Sequence, residues 1–124
     1  MTMHPRLHGV VIDVPRAEHA RAVAFWSAAF GREPAVSAQY PDYAQFEDVT
    51  PGCYVLVQAT GDDSSRVHLD FATDDRDTDL ERLAGLGAQE VTREHKWAVM
   101  RDPSGQPFCL CPASSCAQGS GCIE

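Results

Sequence analysis

The chain is short of the features that mark several large function classes. Basic residues are outnumbered, with ten Lys and Arg against eighteen Asp and Glu, a formal charge of −8. Nucleic acid and anionic membranes recruit a basic face, so neither is expected as the main partner. Long uninterrupted apolar runs are missing, so no segment reads as a bilayer span. The opening Met1-Thr-Met-His-Pro5 has no basic region followed by an apolar core, so no secretory leader is expected. The five cysteines are odd in number and contain no Cys-x-x-Cys pair. They read as reduced thiols in a cytoplasmic protein. A Gly-x-Ser-x-Gly elbow, a Gly-rich phosphate loop and His-Glu-x-x-His are all absent. That removes the common sequence signatures of elbow hydrolases, nucleotide-binding loops and zinc proteases.

What remains is a chain of 124 residues, 44% hydrophobic and 23% charged, which fits one globular domain with a real core. Its most informative stretch is Trp97-Ala-Val-Met-Arg-Asp-Pro-Ser-Gly-Gln-Pro-Phe-Cys-Leu-Cys111. Two apolar runs flank Asp102-Pro103-Ser104-Gly105. The Asp side chain can bond back to the backbone, Pro fixes φ, and Gly permits the positive φ that closes the turn. An antiparallel hairpin is expected.

The rest of the chain reads as one pattern written twice. Leu7–Asp13 is an expected strand, and Asp13 with Pro15 an expected helix start. Val23, Trp26 and Phe30 form a helical stripe that Ala22, Phe25 and Ala29 widen, and Gly31 ends it. Strands are expected near 35–39, 43–49 and 53–58, with a turn at Thr50-Pro51-Gly52. After the polar linker Gly61–Ser65 the pattern restarts. Arg66–Ala72 is a strand, Thr73-Asp74-Asp75 caps a helix bearing Leu80, Leu83, Ala84 and Gly87, and residues 88–94 precede the hairpin. His8 and His68, sixty apart, mark the two copies. A single domain over 1–112 is expected, with repeats near 6–60 and 66–112 and a frayed tail at 113–124.

The hairpin and the duplication together resemble the vicinal-oxygen-chelate superfamily, which includes glyoxalases, bleomycin-resistance proteins, fosfomycin-resistance enzymes and extradiol dioxygenases. The resemblance covers about residues 6–112. It implies an α+β fold in which two βαβββ units form a cup-shaped mixed sheet with the helices outside. It also implies four metal-ligand positions, which fall here on His8, Val55, His68 and Cys109. Val55 cannot ligate, and Cys109 stands where a carboxylate is usual. A divalent metal on His8, His68 and Cys109 is one outcome, with Zn(II) the ion such donors suit. The other is no cofactor, the histidines being hydrogen-bonding groups in a ligand pocket. Relatives also imply a homodimer.

Strand alternation then assigns faces. Val67, Leu69 and Phe71 should pack on the helices, as should Phe108 and Leu110. His68, Asp70, Cys109 and Cys111 should face the cup. His8, Val10 and Ile12 share one face, as do Cys53, Val55 and Val57. Tyr54 and Trp97 are candidate pocket walls, and Trp26 a core residue. Arg16, Arg21, Arg76 and Arg82 read as solvated. The expected ligand site is therefore His8, Tyr54, His68, Asp70, Trp97 and Cys109. Two functions compete. One is a small-molecule-binding protein of the glyoxalase and bleomycin-resistance kind, without a catalytic metal and holding an apolar or aromatic molecule. The other is a metal-dependent lyase, isomerase or dioxygenase using His8 and His68 as ligands.

Overall fold

A computed structural model describes residues 4–94 and 97–113. The expectations for the tail beyond Ala113 lie outside the described residues. Contacts divide the chain into two compact units, Gly9–Val67 and the remainder on either side of it.

The first unit is built from β1 (Arg6–Pro15), a 3-10 turn (Arg16–Glu18), α1 (His19–Phe30), β2 (Ala35–Val36), β3 (Tyr43–Thr50) and β4 (Cys53–Thr60). Its strand order is β2-β3-β4-β1. β1 runs parallel to β4, and the other pairs are antiparallel. One face packs on α1. Val14, Ala44, Phe46 and Val57 are buried there, against Ile12, Val23, Trp26 and Phe30. Each such burial contributes roughly 1.5–3 kcal/mol for a large side chain. Trp26 stacks on Phe30 at 5.5 Å, and Phe30 meets Phe46 edge-on at 5.1 Å. The opposite face holds a second cluster of Val11, Tyr54 and Leu56 with Tyr43.

The second unit repeats the plan with β5 (Arg66–Thr73), α2 (Arg76–Gly85), β6 (Gln89–Arg93), β7 (Ala98–Arg101) and β8 (Pro107–Pro112). Its order is β5-β8-β7-β6, with β5 parallel to β8 and the rest antiparallel. Leu80 of α2 covers Ala98, Met100 and Leu110. Asp75 caps α2, its side chain accepting from the Thr78 N–H at 3.2 Å. The Thr78 hydroxyl and amide hold the Asp75 carboxyl below the usual range. The Asp102 turn forms as expected. Its Oδ1 accepts from Ser104 N, Ser104 Oγ and Gln106 N at 2.8, 2.6 and 2.9 Å, and Gly105 takes φ 95°. The fold is α+β, two βαβββ units of mixed sheet.

Several local expectations need correction. Pro15 leads into the 3-10 turn, and α1 begins only at His19, without a side-chain cap. Phe25, 62% exposed, and Ala29 point to solvent, while Ala22, Val23, Trp26 and Phe30 pack on the sheet. β2 has two residues, where five were expected. Val67, the second residue of β5, is exposed. Arg76 is largely covered while donating to the Glu94 carbonyl at 2.8 Å. Arg82 is held 3.7 Å from the buried Asp79. Cys53 and Cys109 are reduced thiols, but Cys111 is disulfide-bonded, so the all-reduced reading does not hold.

Candidate functional site

The site is set by alternation along β5. Leu69 and Phe71 turn toward the α2 side, while His68, Asp70 and Ala72 take the other face and are buried. Asp70 is fully buried and His68 is 5% exposed. Parallel pairing sets Asp70 opposite Cys109 and Ala72 opposite Cys111. Antiparallel pairing sets Val99 on the other side of Cys109. The sheet thus brings three donors from two strands together: a nitrogen of His68, an oxygen of Asp70 and the sulfur of Cys109 all lie within 4.8 Å of one another. His68 Nε2 is 3.5 Å from Asp70 Oδ1. An apolar patch of Ala72, Cys109 and Cys111 adjoins them, and Trp97 and Val99 pack on it. The Trp97 indole N–H is buried and meets no acceptor among the described residues.

Four of the six residues expected at a ligand site therefore share one face of one unit: His68, Asp70, Trp97 and Cys109. His8 is half-buried and is not among the three donors. In β1, alternation puts it on the side of Ile12 and Val14, which pack on α1. Tyr54 is 2% exposed in the first unit, against Val11 and Leu56. A Cβ at Gly9, its partner across the β1–β4 pairing, would come within 2.1 Å of its ring. Val55 lies two residues from Val57 on the α1 side. The sequence places Asp70 on the cup face as a ligand-site residue, outside the expected metal set of His8, His68 and Cys109. It was not counted as a donor level with Cys109, though the matching strand positions carry that signal.

The donor set answers what kind of ion could sit there. One imidazole, one carboxylate and one thiolate suit Zn(II), which accepts three protein ligands and keeps a fourth position open. Mg(II) and Mn(II) demand more oxygen donors than this group offers.

The comparisons agree with this architecture. The chain resembles methylmalonyl-CoA epimerase from Mycobacterium tuberculosis, with 16% identity, a TM-score of 0.63 and coverage of 95% of this chain and 97% of that one. A single-residue variant of the Streptomyces coelicolor methylmalonyl-CoA epimerase, in complex with 2-nitronate-propionyl-CoA, shows 17% identity, a TM-score of 0.59 and coverage of 88% and 97%. A Legionella pneumophila structure described as an NAD-dependent benzaldehyde dehydrogenase gives 11%, 0.59, 83% and 97%. Likenesses this remote establish the fold, and the variety of activities shows that fold alone does not choose one. No curated protein matches the chain. The sequence model of the glyoxalase-like domain matches residues 9–111, from the first residue of the first unit to the last of the β8 positions on the His68 face. By that match and by its paired βαβββ units, the chain belongs to the glyoxalase-like domain family of the vicinal-oxygen-chelate superfamily.

Proposed function

We propose that this glyoxalase-like protein binds a small organic molecule at the face carrying His68, Asp70 and Cys109. The imidazole and carboxylate fix the polar end of the ligand, and Trp97 supplies an apolar wall. One observation carries the reading: a fully buried carboxylate and a nearly buried imidazole stand on the sheet face that the α2 core does not use. Burying such groups is costly unless they are paired, and the α2 side of the sheet has an apolar core of its own. Homodimer formation and a cytoplasmic location stay proposals resting on relatives and composition.

A second reading is favoured by the closeness of the three donors. Here His68, Asp70 and Cys109 would hold Zn(II), which when bound supplies Lewis-acid polarisation of a substrate oxygen. His8 takes no part in this version. Native mass spectrometry and elemental analysis of protein purified without chelator separate the two. A co-purified organic mass lost in His68→Ala supports the first reading. Stoichiometric zinc lost in Cys109→Ala supports the second. Neither mass nor metal, with no stabilisation by any member of a panel of small carboxylates, thioesters and aromatic compounds, overturns both.

A further inference from the structure

We propose that the second unit carries a separate small-molecule site on the α2 side of its sheet, taking a compact, uncharged molecule of one or two fused rings. This inference is independent of the reading above, because it uses the other face of β5 and β8. Helix α2 stops at Gly85, and its covering residue Leu80 reaches Ala98, Met100 and Leu110. Beside that cluster Phe71 and Phe108 stay only partly buried, as does Leu69. A hollow of about 300 Å³ opens there, walled also by Leu83, Ala88 and Pro107.

The walls are fixed by the backbone. The Gly87 and Ala88 amides bond back to the Ala84 and Leu83 carbonyls at 3.0 Å, which anchors the segment after α2. Gly87 takes φ 107°, and a Cβ there would lie 3.2 Å from Pro103 Cγ, so this segment rests against the hairpin turn. The turn is held in place by the Asp102 carboxylate. That carboxylate borders the hollow but spends its Oδ1 on Ser104 and Gln106.

The lining identifies the occupant. Apart from Asp102 and Gln106, every residue around the hollow is apolar, which disfavours a charged ligand. Phe71 and Phe108 meet edge-on at 5.9 Å and present aromatic surface to a flat ring. About 300 Å³ is the lower bound for small-molecule sites, so a compact ligand suits it. Leu86, 67% exposed on the lining, is the apolar surface an occupant would cover.

Indole is the probe. In methyl-resolved NMR spectra of the full chain, adding indole should shift Leu69, Leu83, Leu86 and Leu110 saturably and leave Val99 unmoved. Ala88→Phe, which fills the hollow, should abolish those shifts. Leu86→Ala changes an exposed side chain and keeps the fold. It should weaken indole binding about fivefold, as expected for losing part of one apolar wall. Shifts absent up to the solubility limit of indole overturn the proposal, as do shifts unchanged in both variants, or shifts confined to Val99. His68→Ala should leave indole binding intact, so failure of the polar site and failure of this one are read separately.

Discussion

The Tyr54 ring fills the space that a side chain on Gly9 would need: a Cβ there would come to 2.1 Å from Cε1 and 2.3 Å from Cζ. Their strands pair in parallel with these two residues in register, so neither can move without disturbing β1 against β4. Gly9→Ala should therefore lower stability by about 3 kcal/mol through overpacking. Tyr54→Val in the same chain should recover more than half of the loss. Urea denaturation of the two single variants and the double variant measures the coupling, and additive losses would refute it.

His68 and Asp70 should prove dispensable for folding as a pair and harmful singly. Their side chains are 7% and 0% exposed and 3.5 Å apart. Removing the imidazole alone leaves a buried carboxylate without that neighbour, a loss of about 3 kcal/mol. The double variant His68→Leu with Asp70→Ala should lose less than His68→Ala by itself. Chemical denaturation settles the ranking. A double variant that is the least stable of the set would mean the pair serves the fold and would remove the main support for a binding role.

How far the sequence carried this picture depends on range. The 97–111 hairpin was readable because Asp102, Pro103 and Gly105 act within five residues, and the observed bonds from Ser104 and Gln106 are those the side chain predicts. The face of β5 was readable because Leu69 and Phe71 alternate with His68 and Asp70. The matching of His8 to His68 fails by one residue in phase. In β1 it is Ile12 and Val14 that pack on the helix, placing His8 on that side, whereas in β5 the helix-side residues are Leu69 and Phe71 and His68 is on the other. A one-residue slip moves every side chain to the opposite face, and no local signal fixes the slip between two diverged copies. The start of α1 was misplaced for a related reason. Pro15 suits a first turn of either kind, and packing of Val23, Trp26 and Phe30 decides where the wider helix begins.

Acid should destabilise the protein partly through two carboxylates, Asp75 at the start of α2 and Asp102 in the hairpin turn. Ser104 and Gln106 hold the Asp102 carboxyl below its ordinary value, and Thr78 does the same for Asp75. A carboxyl depressed in the folded state contributes its stability above the unfolded value, near pH 4. That contribution disappears as pH falls through the folded value. The double variant Asp75→Ala with Asp102→Ala should be less stable at neutral pH and show a shallower decline below about pH 4. Thermal melts across that range test it, and parallel curves for variant and wild type would contradict the assignment.

Asp79 is the acid whose loss from α2 should be felt most. It is 5% exposed, accepts a hydrogen bond from the buried Thr73 hydroxyl and sits 3.7 Å from Arg82 Nε. Thr73 also receives the Asp75 amide at 3.1 Å, so one hydroxyl ties the end of β5 to both the cap and the first turn of α2. Asp79→Ala leaves the hydroxyl and the guanidinium without their carboxylate and should cost about 2–3 kcal/mol. Asp79→Asn keeps an acceptor and should cost about half as much. Thr73→Val should resemble Asp79→Ala, and the two together should fall well short of the sum, because each removes the same bond. Equal losses for the Ala and Asn variants would show that charge against Arg82, rather than the Thr73 bond, is what the buried acid provides.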